Sequence, residues 1–198
     1  MRKVLAVVSL LLMAAGAVLL FQGARVYLES KMGQSEASRE FDEQGRGPSS
    51  APRSRLERLR PRDGETFAKL SIPRLDTELY VVEGDDTADL RRGPGHLPGT
   101  AMPGDDGNCV IAAHRDTHFR VLKDIRKGDD IILQTSRGQF LYRVAGTQIV
   151  QPTNTAALQP THDAELKLIT CYPFYYVGSA PKRFVVEAQL AGSVAGPS

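Results

Sequence analysis

The sequence has little cysteine, no tryptophan and almost no excess of charge, and each shortage excludes a class of protein. Two cysteines among 198 residues permit at most one disulfide, so the chain is not a disulfide-rich scaffold. A net charge of +2 is too small to indicate nucleic acid or a strongly acidic partner. The hydrophobic fraction of 41% and the charged fraction of 24% are typical of one globular domain with additional segments.

Long apolar segments are also scarce, except at the N-terminus. The eighteen residues Val4–Phe21 are uncharged and apolar except for Ser9, and they would cover roughly 27 Å as a helix, close to the thickness of a bilayer core. They predict a membrane anchor over residues 1–24. Arg2 and Lys3 before the apolar segment predict a cytoplasmic N-terminus, with the rest of the chain outside. A cleaved signal peptide is the alternative, although the small-residue site at residues 15–17 lies inside the apolar segment.

The remaining chain divides into three predicted regions. Residues 25–64 contain few side chains that could pack into a core, so we expect a polar tether that is disordered or loosely helical. Residues 65–191 form the predicted folded domain. The small and polar residues 192–198 are expected to form a flexible tail.

Short alternating or apolar segments within the folded domain predict strands. These are Phe67–Ile72, Leu79–Val82, Asn108–Ala113, Asp130–Thr135, Gln139–Val144, Leu166–Thr170 and Arg183–Gln189. The residues Ser-Arg-Gly at 136–138 predict a hairpin. Helices are expected only over Thr87–Arg91 and His118–Ile125. Many short strands at close spacing predict an all-β sandwich or barrel.

The two cysteines are predicted to stay unpaired. Because alternate side chains of a strand face opposite sides, Cys109 lies on the face opposite His114 if the strand is regular. Cys109 is therefore interpreted as a small buried hydrophobic residue. A disulfide between Cys109 and Cys171 is the alternative, because disulfides form outside the cytoplasm.

Cys171 is the candidate nucleophile because it ends an apolar strand and opens into a loop. A cysteine nucleophile needs a thiolate or a neighbouring base, for which histidine is the usual residue. Acyl transfer also needs a donor for the oxyanion, and Arg183 is available at the start of the last strand. Spacing alone does not choose among the four histidines, which are His96, His114, His118 and His162.

A family resemblance makes that choice. The residues Leu168-Ile169-Thr170-Cys171 resemble the Leu-x-Thr-Cys signature of sortases. The longer run Thr170–Phe174, followed by Arg183–Val186, is similar to class D sortases in particular. Residues 93–100 and 108–117 match the stretches that precede and carry the catalytic histidine, except that alanine occupies position 113, where glycine is common. The resemblance covers about Phe67 to Leu190.

The resemblance implies a closed eight-stranded β-barrel with short helices and an N-terminal transmembrane helix. It assigns Cys171 as the nucleophile, His114 as the general acid and base, and Arg183 as the oxyanion donor. We expect His96, Thr170 and Tyr172 to bind substrate. Neither a cofactor nor a metal is expected, since the paired acids in the loops match no calcium-binding spacing.

The implied reaction is transpeptidation. A sortase cleaves a Leu-Pro-x-Thr-like signal in a secreted protein, holds the acyl half as a thioester and passes it to an amine, such as a peptidoglycan precursor or a pilin lysine. The expected location is the cell membrane, with the catalytic domain outside. A thiol peptidase that releases its product to water and a noncatalytic peptide-binding module are the alternatives.

Overall fold

Eight strands form a closed barrel in the computed structural model, which describes residues 2–44, 60–176 and 178–195. The strands are β1 (Thr66–Ile72), β2 (Thr77–Glu83), β3 (Gly95–His96), β4 (Asn108–Ala112), β5 (Asp130–Thr135), β6 (Gly138–Val150), β7 (Glu165–Tyr172) and β8 (Lys182–Ala195). Around the barrel their order is β1-β2-β3-β4-β7-β8-β6-β5. The predicted all-β fold, a closed eight-stranded barrel with short helices, is confirmed.

Most neighbouring strands are antiparallel, and β2 with β3 and β4 with β7 are the parallel pairs. Each buried strand contributes alternate side chains to one core. From β4 these are Cys109, Ile111 and Ala113, and from β7 they are Leu166 and Leu168. The intervening side chains of β4 and β7 therefore point away from the barrel interior. This alternation decides which residues can reach the functional site.

The predicted strands are present, and the structure differs from the prediction at their ends. Strand β3 has only two residues, too few to produce an alternating pattern in the sequence. Strands β6 and β8 are longer than predicted because they pair with each other along their length, from Gly138 opposite Ala195 to Val150 opposite Arg183. Residues 192–195 of the predicted tail are thus part of β8, and residues 196–198 lie outside the described residues.

Over the residues that the structure describes, two α-helices and three short 3-10 helices accompany the barrel. Helix α1 covers Arg2–Gln44 and α2 covers Thr87–Arg92. The carboxylate of Asp86 caps α2 by accepting hydrogen bonds from the backbone N–H groups of Ala88 and Asp89, which explains why the helix begins there. The 3-10 helices are Pro73–Leu75, His118–Asp124 and Ala156–Leu158. The predicted helix over Thr87–Arg91 is confirmed, and the one beginning at His118 is a 3-10 helix.

Helix α1 crosses the predicted boundary between anchor and tether, and its second half packs against the barrel. The side-chain amide of Gln34 donates to the carbonyls of Tyr80 (3.1 Å) and Arg92 (2.8 Å) and accepts from the N–H of Tyr80 (2.8 Å). It thereby satisfies both backbone groups of Tyr80. Gly33 allows this approach, because a Cβ there would lie 2.7 Å from the Cα of Arg92.

Carboxylate and ring contacts extend this packing to the end of α1. Glu40 accepts from the hydroxyl of Thr66 (2.8 Å) and pairs with Arg92 (2.8 Å), and the ring centroids of Phe41 and Tyr80 lie 5.8 Å apart. The tether prediction is therefore corrected over residues 30–44, where a docked helix replaces a loose segment. Residues 45–59 of the predicted tether lie outside the described residues.

The first half of α1 exposes large apolar side chains on all sides. Leu11, Leu12, Leu19, Leu20 and Phe21 are all more than half exposed, reaching 77% at Leu20. Water solvates such a surface poorly, whereas a lipid bilayer solvates it well. Among the described residues α1 is the one helix long and apolar enough to cross a membrane.

Candidate active site

The ends of β4 and β7 bring His114 and Cys171 to the same edge of the barrel. These parallel strands pair up to Ala112 opposite Ile169, and one further backbone hydrogen bond joins the N–H of Ala113 to the carbonyl of Ile169 (3.1 Å). His114 and Cys171 each follow the last register pair by two residues. Since adjacent strands lie about 4.8 Å apart, the two residues leave the sheet as neighbours.

Arg183 joins them from the next strand. In the antiparallel pair β7–β8, Cys171 is directly opposite Arg183, so their side chains leave the same face of the sheet. That face points away from the core, because Leu168 and Val186, an odd number of positions away along each strand, point into it. The three residues assigned by the sequence analysis are thus brought together, and their chemical roles stay predictions.

The exposure of the three side chains suits groups that must meet a substrate. His114 is exposed, and Cys171 and Arg183 are partly buried. Within the described part of the chain, no hydrogen bond links Cys171 to His114. Catalytic hydrogen bonds are often long without substrate and shorten when it binds, so the lack of a hydrogen bond between Cys171 and His114 is compatible with a nucleophile and its base.

Cys109 lies inside the barrel, as the strand phase predicts. It is 1% exposed, belongs to the core cluster, and is free, as is Cys171. Burial raises the pKa of the Cys109 thiol far above its usual range. Cys109 is therefore an inert core residue, and the alternative of a disulfide with Cys171 is excluded in this structure.

His96 is not placed where the sequence analysis expected it. It is 1% exposed on β3, where Nδ1 lies 2.6 Å from a carboxylate oxygen of Glu83 and Nε2 lies 3.0 Å from the carbonyl oxygen of Ala101. A side chain that is buried and bonded at both ring nitrogens has no surface to offer a substrate. We correct its expected role from substrate binding to the packing of the barrel wall.

Thr170 is also buried, and its contact gives it a different role from the one predicted. The side chain is 2% exposed, and its hydroxyl donates to the carbonyl of Ala113 (2.7 Å). This bond joins the residue before Cys171 to the residue before His114. Thr170 therefore fixes the two chain ends relative to each other, and a direct contact with substrate is not available to it here.

We expect replacement of Thr170 by valine to weaken both stability and activity. Loss of the hydrogen bond leaves the Ala113 carbonyl without its donor and costs about 1–2 kcal/mol of folding free energy. The value of kcat/KM for peptide cleavage should fall about tenfold, since a small displacement of a reacting group is expensive. Thermal unfolding and steady-state kinetics measure the two effects. Thr170→Ser, which keeps the hydroxyl, is the control, and equal activity of both variants would contradict this role.

Tyr172 lies in a cluster of half-buried rings next to Cys171. Its ring centroid is 5.9 Å from that of Phe174 and 6.3 Å from that of Phe184, and the last two are 5.3 Å apart. By strand alternation Tyr172 and Phe184 leave the face of the sheet opposite to Cys171, and Phe174 and Phe184 pack against the core. The predicted substrate contact of Tyr172 stays a prediction.

A cavity of about 620 Å³ borders His114, and Cys171 is not among the residues that line it. Its lining comes from three segments, which are residues 114–118 with the predicted base, Leu90 and Arg91 of α2, and four residues of α1 (Gln22, Arg25, Glu29 and Ser30). None of the lining residues belongs to β7 or β8. The cavity thus brings α1 close to His114 without reaching the thiol.

His118 is a buried residue in the lining of this cavity. Its Nε2 lies 3.3 Å from the hydroxyl of Ser30, its ring also bonds to the backbone of Arg91, and burial lowers its pKa to about 4. A histidine kept neutral between two helices is a packing residue. His162 is exposed in a loop, and Asp116 makes no side-chain hydrogen bond within the described ranges. Neither capping by Asp116 nor orientation of His114 by it is therefore observed.

Sequence reasoning missed Arg115. Its Nη2 donates to the carbonyls of Tyr176 (2.7 Å) and Gly178 (2.9 Å), in the loop that connects β7 to β8. The position directly after a candidate catalytic histidine was the available signal. Among the described residues, no group of three or more potential ligands is arranged to hold a metal.

Comparison with known proteins identifies relatives of this barrel and its motifs. A family model described as "Sortase domain" matches residues 70–191. Sortase D of Bacillus subtilis is 41% identical over 129 residues, which are 65% of this chain and 65% of that protein. The chain spans less than two thirds of the length of each curated relative it matches.

Solved structures show the same fold. A Clostridium perfringens Sortase D5 transpeptidase superposes with a TM-score of 0.68 at 24% identity, over 81% of this chain and 99% of that one. The catalytic domain of B. anthracis SrtD superposes with a TM-score of 0.60 at 30% identity, over 75% of this chain and 99% of that one. The fold of this chain is therefore shared with these two solved structures.

Proposed function

The chain belongs to the sortase family, and on that premise we propose that it is a membrane-anchored cysteine transpeptidase of the class D type. It cleaves a Leu-Pro-x-Thr-like sorting signal of a secreted protein after the threonine. It then transfers the acyl part to an amine, such as a peptidoglycan precursor or a pilin lysine. The observation that carries this proposal is the register pair of Cys171 with Arg183, beside the strand that leads to His114.

The proposed reaction has two halves. In the first, the Cys171 thiolate attacks the carbonyl of the signal threonine, and the Arg183 guanidinium donates hydrogen bonds to the oxyanion. His114 gives its proton to the leaving amine, which departs as the peptide bond breaks and leaves a thioester. In the second half an acceptor amine attacks the thioester and loses a proton to His114. The new amide forms and Cys171 is released. Because the thioester conserves the free energy of the cleaved amide, no nucleotide is consumed.

The proposed location is the outer side of the cell membrane. Helix α1 supplies the span, and Arg2 and Lys3 favour a cytoplasmic N-terminus. The apolar segment ends at Phe21, and the first hydrogen bond from α1 to the folded domain is that of Ser30 to His118, so nine helical steps separate them by roughly 14 Å. The short separation supports the proposal that the barrel works close to the membrane surface, within reach of substrates that are themselves retained there.

A partition experiment tests the proposed function. The full-length chain in detergent is incubated with fluorescence-quenched peptides that carry Leu-Pro-x-Thr followed by a small residue, with and without triglycine or an Nα-blocked lysine. With an amine present, we expect the amide to become the main product, because the amine competes with water for the thioester. Mass spectrometry distinguishes amide from free acid.

The competing functions give different results in the same assay. Free acid as the sole product with every amine would indicate a thiol peptidase. No cleavage of any peptide, together with an iodoacetamide reaction at Cys171 no faster than that of an ordinary thiol, would indicate a noncatalytic module. Either result would contradict the proposal.

A further inference from the structure

Arg115 ties the backbone of the loop between β7 and β8 to the segment that carries His114. One nitrogen of Arg115, Nη2, donates to two backbone carbonyls of this loop, those of Tyr176 and Gly178, at 2.7 and 2.9 Å. Bonds from a charged donor are shorter and stronger than neutral ones, and a guanidinium keeps its charge at any physiological pH. Arg115 therefore cross-links two chain segments that both belong to the site.

The same loop holds the guanidinium of Arg183. Nη1 of Arg183 donates to the carbonyls of Ala180 (3.4 Å) and Lys182 (3.1 Å), at the end of the loop that leads into β8. The backbone of Arg183 is fixed by its register with Cys171, whereas its side chain bonds to one loop carbonyl, that of Ala180, and to the carbonyl of Lys182, where β8 begins. The position of the guanidinium therefore depends on the conformation of the loop.

Other contacts hold different parts of this loop. Its start and end are packed by the ring cluster of Tyr172, Phe174 and Phe184. Arg120 lies over the ring of Tyr175 with its Cζ atom 5.5 Å from the ring centroid, so it contacts a side chain rather than the backbone. Among the described residues, the hydrogen bonds to the carbonyls of Tyr176 and Gly178 come from Arg115.

We infer that Arg115 is a positioning residue, which holds the β7–β8 loop so that the Arg183 guanidinium stays beside Cys171. The inference rests on the proposed function, since it assigns to Arg183 the stabilisation of an oxyanion. Arg115 itself need not touch the substrate. Its effect on the reaction is transmitted through the loop backbone to Arg183.

The test compares Arg115→Gln with Arg120→Gln in the full-length chain, using the fluorescence-quenched peptide that the unmodified protein cleaves fastest. Both changes remove one positive charge from the same segment, but only the first removes hydrogen bonds to the loop backbone. We expect kcat to fall about tenfold for Arg115→Gln with KM within twofold, because the lost interaction acts on the transition state. Arg120→Gln should stay within about twofold of the unmodified kcat, since an exposed ring contact is weak.

Two further measurements separate positioning from stability. Arg115→Lys keeps the charge and a donor, and it should recover part of kcat. Thermal unfolding should be nearly the same for Arg115→Gln and Arg120→Gln. If both variants lose activity equally, or if the loss appears in KM, the inference is overturned.

A double-mutant cycle shows whether the effect passes through Arg183. In an Arg183→Ala background, Arg115→Gln should lower kcat no further than about twofold, because the group that it positions is gone. A full tenfold loss in that background would contradict the inference while leaving the proposed function intact. Failure of the unmodified protein to cleave any peptide would instead contradict the proposed function.

Discussion

Replacement of Cys171 by alanine is expected to lower the rate of peptide cleavage by about 10⁴-fold or more. The rate that remains is the one that substrate binding and the oxyanion donor support without a nucleophile. The loss follows from the placement of the thiol, which is partly exposed at a strand end, in register with Arg183 and at the edge that His114 shares. Without a nucleophile no thioester forms, and neither half of the reaction proceeds. Cleavage of a fluorescence-quenched peptide measures the effect.

Cys109→Ala is the matched control for this prediction. Cys109 is the other cysteine in the chain, and it is buried in the barrel core, where its raised pKa keeps it a thiol. Its removal deletes one sulfur from the core and should cost about 1 kcal/mol of stability. The cleavage rate at a temperature well below unfolding should be unchanged. Equal losses in the two variants, or substantial cleavage by Cys171→Ala, would contradict the assignment of the nucleophile.

Replacement of His114 by glutamine is expected to lower kcat by about 10³-fold, within the range found for general acid and base residues. Glutamine keeps a similar size and polarity but can neither give a proton to the leaving amine nor take one from the acceptor. Steady-state cleavage and single-turnover acylation measure the loss. Because proton transfer occurs in both halves of the reaction, both acylation and transfer to an amine should slow.

His162→Gln is the control for His114→Gln. His162 is exposed in a loop outside the site, so the same substitution there should leave kcat within about twofold. His118 is less suitable as a control, because its contacts with α1 and α2 make it part of the packing. If His114→Gln retains most of its activity, the general acid and base must be sought elsewhere.

Hydrophobic alternation predicted the strands well because it records which side of a strand is buried, whereas the choice of a closed barrel over a sandwich came from the resemblance to sortases. The phase of Asn108–Ala113 placed Cys109 on the face opposite His114, and the structure confirms that Cys109 is in the core. Strand β3 was missed because two residues cannot show a period. The extension of β6 was missed because its side chains are largely exposed and include polar ones such as Gln148, which bonds to Glu187 of β8 at 2.8 Å.

The docking of α1 could not be predicted from hydrophobicity. The residues that face the barrel recur at helical spacing, but they are small or polar (Ser30, Gly33, Gln34, Ala37, Glu40), with Phe41 as the large apolar member. Gln34 binds backbone groups of the barrel, and no amphipathic pattern reports such bonds. A polar helical stripe next to an apolar span is the signal that would have indicated a docked helix.

The candidate site was predictable in part. Strand ends and residue chemistry singled out Cys171, but only the resemblance to sortases chose His114 and Arg183. The structure adds the register that places Cys171 opposite Arg183, and it removes His96 and Thr170 from the expected substrate contacts. Those two errors share a cause. A polar residue near a site can equally serve to join buried backbone segments, and sequence spacing does not distinguish the two roles.

The covalent intermediate is the central claim, and the intact mass of the protein tests it most directly. The full-length chain is mixed with the peptide that it cleaves fastest, quenched in acid and weighed. We predict a mass gain equal to the acyl fragment, located on the fragment that contains Cys171, lost on addition of triglycine and absent from Cys171→Ala. Product that accumulates while the protein mass stays unchanged, or an adduct on any other residue, would contradict the account.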